Sequence, residues 1–245
     1  MMHNHTFGAV VLASLLACTV TTVGIIVISR YERWGTNNAV YFMSFAAGVL
    51  VSVSFLHIIP KSIEMNPSAP LFLLAGFLAL YVTNRFLNAY ICHKYECEDY
   101  TLGIIPMLGV GLHSFLDGVI YSVAFNVSIF TGILAAIGMV LHEFPEGIVT
   151  FLLLKQGGFT KRKSEGYAFL AAAISTPLGT LFSFPVIGKI HRSILGGLLA
   201  FSAGALVYVG ASHLLPAVER ENKKYSLISM GAGILVAIVI VLSKI

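Results

Sequence analysis

His113 and Asp117 stand four residues apart in Leu112-His113-Ser114-Phe115-Leu116-Asp117-Gly118, and His142 and Glu146 stand four apart in Leu141-His142-Glu143-Phe144-Pro145-Glu146-Gly147. Both stretches follow the pattern L-H-x-F-x-[D/E]-G, and each lies in the middle of an apolar run. On a helix, residues at i and i+4 share one face, so each stretch aims an imidazole and a carboxylate in the same direction. That is the donor arrangement of a divalent-metal site. Ionisable side chains at membrane depth persist where they meet a partner, a cavity or an ion, which makes an intramembrane metal site the chemistry to test.

The elements that must position these residues are membrane spans. Of 245 residues, 57% are hydrophobic and only 11% are charged, and the mean hydropathy is +0.88, well outside the range of a soluble globular domain. Apolar runs long enough to cross about 30 Å of hydrocarbon predict eight helices, over 7–29, 39–60, 70–91, 101–125, 129–154, 167–187, 194–216 and 226–243. The fold class expected is therefore an all-α polytopic membrane protein forming a single transmembrane domain over 1–245. The first run follows Met1-Met2-His3-Asn4-His5-Thr6, which has no basic residue, so it reads as a span and not as a cleaved leader.

Loop charges give an orientation. With eight spans, one side collects Arg30, Arg33, Lys94, Lys155, Lys161, Arg162, Lys163, Arg220, Lys223 and Lys224, and the other only Lys61, Lys189, Arg192 and Lys244. The richer side is cytoplasmic by the positive-inside rule, which puts both termini outside and the loop from Gly157 to Glu165 in the cytoplasm. Arg85 lies near the cytoplasmic end of the third span, where its head can reach the interface. The expected location is the cell (inner) membrane. The basic balance needs no nucleic-acid partner; the partners expected are divalent metal ions and the lipid bilayer, with a homodimer as the assembly considered. Cys18 falls in the first span and Cys92 and Cys97 near a cytoplasmic loop, where no structural disulfide is expected.

Two internal repeats are visible. Phe45-Ala46-Ala47-Gly48-Val49-Leu50-Val51 with His57-Ile58-Ile59-Pro60 recurs as Phe201-Ser202-Ala203-Gly204-Ala205-Leu206-Val207 with His213-Leu214-Leu215-Pro216, at a constant offset of 156 (201 minus 45, 213 minus 57). The copies are the second and seventh spans, five apart, so they cross the membrane in opposite directions. Spans 1–3 and 6–8 then form an inverted repeat around spans 4 and 5, a 3+2+3 arrangement, and the two L-H-x-F-x-[D/E]-G stretches invert the central pair. Transporters recurrently use this plan, with the site near the midplane.

Among the acidic residues only Asp117, Glu143 and Glu146 fall at membrane depth. Each costs about 2.5–3.5 kcal/mol on insertion scales, a penalty that convergence on a cation offsets. The fourth and fifth spans carry no Lys or Arg before Lys155. His113 and Asp117 with His142, Glu143 and Glu146 form an imidazole and carboxylate set without thiolate, suited to zinc, iron, manganese, nickel or cobalt and not to copper(I). Glu143 lies about a quarter-turn from the His142–Glu146 face, where it serves a neighbouring site or a gate. Pro145 and Pro106 each remove a helical hydrogen bond and free a carbonyl, which can meet a cation or mark a kink. His57 and His213 fall at opposite ends of the expected pathway, as ligands at its two mouths or as histidines hydrogen-bonded at helix ends. Cys92, His93 and Cys97 read as a cytoplasmic metal cluster or a solvated loop, while His3 and His5 belong to the tail and His191 to a short outer loop.

At the paired motifs the chain resembles the ZIP family of zinc and iron transporters. Members have eight spans, outer termini, and metal-lining motifs H-[N/S]-x-x-[D/E]-G and [H/Q]-[E/D]-x-P-[E/H] in the fourth and fifth spans. Here these read His113-Ser114-Phe115-Leu116-Asp117-Gly118 and His142-Glu143-Phe144-Pro145-Glu146-Gly147. The resemblance implies transport of divalent metal, zinc first with iron, manganese or cadmium beside it, into the cytoplasm. It implies a primary site of His113, Asp117, His142 and Glu146, with Ser114 and Glu143 at a second position. Ser114 replaces a common Asn, and Thr176 stands where some bacterial members have a Glu ligand, so the second position is poor in donors. The metal is cargo, and no resident cofactor is expected. The competing reading is an intramembrane metal-dependent hydrolase, since His142-Glu143 opens like H-E-x-x-H; Glu146 occupies the place of its second His and Pro145 sits inside it.

Overall fold

The computed structural model of the chain describes residues 2–86, 97–127, 129–189, 191–221 and 223–242; some side chains within these ranges, His142 among them, lie outside the described set. The described residues are helical and contain no strand. In chain order the helices are α1 (Met2–Arg30), a short connector α2 (Glu32–Asn37), α3 (Ala39–Met65), α4 (Ala69–Phe86), α5 (Cys97–Val127), α6 (Ile129–Gln156), α7 (Lys161–Ile187), α8 (Arg192–Arg220) and α9 (Ser226–Leu242). Six of them, α1, α3, α4, α5, α7 and α8, are long and apolar enough to cross a membrane. The helix α6 runs 28 residues and α9 runs 17. The protein is a multi-pass membrane protein.

Several boundaries differ from those predicted. Helices α3, α7 and α8 run past the expected ends because a helix continues into the interface until a breaker stops it: Asn66-Pro67 ends α3, and α7 begins at Lys161, directly after the Gly157–Thr160 turn. The basic stretch Lys161 to Glu165, expected as loop, is therefore the first turn and more of α7. Its Glu165 accepts a hydrogen bond from Ser29 of α1, and Glu32 pairs with Lys155 at 2.9 Å, so this end of the molecule is tied across four helices. Residues 87–96 lie outside the described residues, and with them Cys92 and His93; so does the side chain of Cys97.

Three of the long helices contain a widened π turn: Ser54–Ile58 in α3, Phe169–Ile174 in α7 and Gly210–Leu214 in α8. Each ends two or three residues before a proline, Pro60, Pro177 or Pro216. A proline ring clashes with the carbonyl four residues earlier and offers no N–H, and a wider turn relieves both faults without ending the helix. The turns in α3 and α8 coincide at the offset of 156 (210 minus 54), and they carry His57 and His213. Across Pro106 and Pro145, by contrast, α5 and α6 continue as ordinary α-helix.

Packing sorts the helices into two groups. The helices α3 and α9 pack along each other, as do α4 and α8, while α1, α5, α6 and α7 form a second cluster of mutual neighbours. The first group repeats internally. A Cβ at Gly76 of α4 would collide with the Phe201 carbonyl of α8, and one at Gly233 of α9 would collide with the Phe45 carbonyl of α3. Phe45 and Phe201 are the repeat-related pair found in the sequence, so both close approaches are copies of one contact. Where the two groups meet, α8 lies against α5 and α3 against α6, and the functional residues gather along that seam.

Candidate metal centre

The helix α5 presents His113 and Asp117 one turn apart, and α6 presents Glu143 and Glu146. All four are buried, at 4%, 2%, 0% and 6% exposure, although the chain's other acidic residues among those described sit at helix ends. The His113 Nε2 atom lies 3.4 Å from Asp117 Oδ2 and 3.6 Å from Glu146 Oε1. Those separations are long for hydrogen bonds. They match instead the distance of about 3.4 Å between neighbouring ligand atoms on a tetrahedral zinc with bonds of about 2.0–2.2 Å. His113 and Asp117 share one face of α5, as the four-residue spacing predicts, and Glu146 of α6 comes up to the same imidazole nitrogen. Among the described residues no group of three or more His, Cys, Asp and Glu side chains is arranged to hold a metal ion, and the side chain of His142 lies outside them.

On its other edge, His113 Nδ1 is 3.5 Å from Ser202 Oγ of α8. For Nε2 to offer a lone pair to a metal, the ring proton must sit on Nδ1, where the Ser202 hydroxyl can accept it; in the other tautomer the same hydroxyl donates to Nδ1. Ser114 Oγ and Tyr121 Oη are both fully buried with no hydrogen-bond partner. Orphaned hydroxyls are rare in a dry interior, and here they flank Asp117 one turn to either side along α5. An arriving cation with its remaining water fits such donors.

Glu143 faces elsewhere. Its Oε1 accepts from Thr176 Oγ1 of α7 at 3.0 Å, and its Oε2 lies 3.1 Å from Thr21 Oγ1 of α1, whose single proton is shared with the Ala17 carbonyl at 3.0 Å. Thr21, Tyr121 and Ser202 are the site residues that sequence reasoning missed. Thr21 had a signal: Thr21-x-x-Gly24 matches Thr176-x-x-Gly179 at an offset of 155 (176 minus 21). Tyr121 continues the four-residue spacing of His113 and Asp117; Ser202 had only its place in the repeated segment.

Two cavities lead to the centre. A space of about 470 Å³ between α3, α5, α7 and α8 is lined by His57, Ile120, Leu199 and other apolar side chains, with Lys61, Asn126 and Arg192 at its polar end. A smaller one of about 50 Å³ shares His57, Ile58, Ile120 and Leu199 with it and reaches His113 and Asp117. His57 therefore lines both cavities. His213 does not line either space: it is buried in the π turn of α8 with its ring edge-on to Tyr208, 5.1 Å between centroids, and its Nδ1 has no hydrogen-bond partner.

Known proteins bear on this centre. The sequence model described as ZIP Zinc transporter matches residues 5–101 and 94–241. The chain is 26% identical to "Zinc transporter ZupT" of Streptococcus mutans, covering 91% of this chain and 92% of that protein. It is 30% identical to "Zinc transporter ZupT" of Nitratidesulfovibrio vulgaris over 89% and 91% of the two chains. A shorter match, 34% identical over 56% of this chain and 28% of the other, is to "Protein zntA" of Dictyostelium discoideum. With nearly its whole length matched, the chain belongs to the ZIP zinc transporter family.

Proposed function

We propose that this protein carries divalent metal, zinc foremost and iron, manganese or cadmium by the same donor chemistry, across the cell membrane into the cytoplasm. Family membership supports transport of divalent metal and gives no support to an intramembrane hydrolase. The observation that carries the reading to particular residues is the position of His113 Nε2, 3.4 Å from Asp117 and 3.6 Å from Glu146, at the ligand-to-ligand spacing of a tetrahedral ion. His113, Asp117, His142 and Glu146 form the primary site, with Ser114 and Glu143 beside it. His57 receives metal from the larger cavity and His213 serves the opposite end.

The domain is a single one over 1–245, with α1, α3, α4, α5, α6, α7, α8 and α9 as eight spans in the 3+2+3 inverted arrangement, both termini outside. Matching π turns in α3 and α8 and the paired close approaches at Gly76 and Gly233 support that repeat. A homodimer is the assembly proposed. In this orientation the 470 Å³ cavity opens outward, and a cation reaches His57, loses part of its water shell and passes to the carboxylates. The offset between ligand cost and ion binding is the reason three buried carboxylates persist here.

Radioactive zinc uptake into proteoliposomes tests this. Asp117→Ala and Glu146→Ala are each expected to lower uptake at least about tenfold, the range for losing a ligand or its support. Absent flux in the wild type, or undiminished flux in both variants, sinks the reading.

A further inference from the structure

Glu143 is fully buried, and each of its oxygens meets a threonine hydroxyl from a different helix. Those threonines occupy equivalent places. The backbone around Thr21 is approached by Gly147 of α6, where a Cβ would meet the Thr21 carbonyl, and the backbone around Thr176 by Gly118 of α5, where a Cβ would meet the Thr176 carbonyl. Gly118 and Gly147 end the two L-H-x-F-x-[D/E]-G stretches, so α1 seats against α6 as α7 seats against α5. Glu143 links the two halves from within the centre: it rides on α6 and reaches both α1 and α7. Its counterpart on α5 is Ser114, whose Oγ has no partner and is too short to repeat the link.

We propose that Glu143 is a positioning residue, a brace that locks α1 and α7 onto the helix bearing His142 and Glu146, and that the centre in consequence holds a single ion. This rests on the transport reading of the primary site. A carboxylate oxygen engaged by a hydroxyl in a dry interior must break or share that bond to ligate a metal, and the hydroxyl left behind has no water to replace it. Glu143 fixes the angle at which Glu146, one turn away on the same helix, faces His113. The brace also makes α1 and α7, which place no His or carboxylate in the centre, move as one body with it.

The full chain, purified in detergent and reconstituted in liposomes, provides the test. Zinc bound per chain, read by equilibrium dialysis with elemental analysis, is expected to be a single ion in the wild type and in Glu143→Gln, whose amide keeps both hydroxyl contacts. In zinc uptake, the Thr21→Val/Thr176→Val pair is expected to lose about tenfold in maximal rate with KM within about twofold, and the Thr21→Ser/Thr176→Ser pair to stay within about twofold of wild type. A second ion that is present in the wild type and lost in Glu143→Gln overturns the brace, as does full uptake by the valine pair. Wild-type protein that binds no zinc defeats the transport reading instead. The valine pair's melting temperature then decides the brace: lowered, it stands; equal to wild type, it falls.

Discussion

At the residue scale the centre depends on which nitrogen of His113 carries its proton. With Ser202 at Nδ1 and two carboxylates at Nε2, the ring is oriented from both edges. Ser202→Ala removes the hydroxyl beside Nδ1 that helps hold the ring with Nε2 toward the carboxylates. Zinc KM is expected to rise about tenfold, the low end of the range for losing a supporting partner of a metal ligand, with the maximal rate less affected; a zinc titration of uptake checks this. The ligands themselves were legible because i, i+4 spacing is a property of one helix. Ser202 was not, because 89 residues separate it from His113 and only packing of α8 against α5 brings them together. The same holds for Thr21, 122 residues from Glu143. Ser114, read as a member of a second metal position, is a buried hydroxyl without a partner, consistent with a position short of donors.

At the element scale, helices were predictable from apolar runs, but their interruptions and contacts were not. The π turns follow from prolines that the sequence displays, yet nothing local says whether a proline will widen a turn, as at Pro60 and Pro216, or be absorbed, as at Pro106 and Pro145. Close contacts between helices rest on glycines facing carbonyls, a device suited to lipid, where association relies on packing. Gly76→Ala and Gly233→Ala each put a methyl into a backbone oxygen and are expected to destabilise by about 1–3 kcal/mol, as overpacking does. Gly231→Ala, facing open space, is the control and should leave the melting temperature in detergent unchanged.

At the scale of the whole molecule, equivalent parts stand in unequal states. His57 lines a cavity of about 470 Å³, while its counterpart His213 is packed against Tyr208. The repeat-related histidines thus differ: one lines a cavity and the other is packed against an aromatic ring. The polar end of this cavity is not acidic. Lys61 and Arg192 line it, and both pair with Glu64, at 2.8 and 2.9 Å, leaving a net charge of +1 from these three groups. A dication about 10 Å from one positive charge in water is repelled by about 0.8 kcal/mol, close to a factor of four in local concentration. Arg192→Gln, which leaves Lys61 and Glu64 balanced, is expected to raise low-salt zinc uptake at limiting zinc by about two- to fourfold, and added salt to erase the difference. A salt-independent ratio between variant and wild type would remove the rim from metal selection.

The sequence by itself determined the membrane class, the helical content, the internal repeat and the ligand chemistry, because hydropathy, offset identity and four-residue spacing are all local or periodic. It also pointed to the family through two motifs that proved to lie on facing helices. Only the tertiary structure decided that the four-helix cluster of α1, α5, α6 and α7 sits beside the group of α3, α4, α8 and α9, that Ser202 lies beside His113, and that Thr21 and Thr176 meet Glu143. A hydroxyl's partner is whatever the packed neighbour offers, and in a bundle whose helices are all apolar that choice is made by glycine-sized gaps between distant segments. The two four-residue spacings therefore fixed which donors share a helix face, while the packing fixed which side chains meet them from other helices.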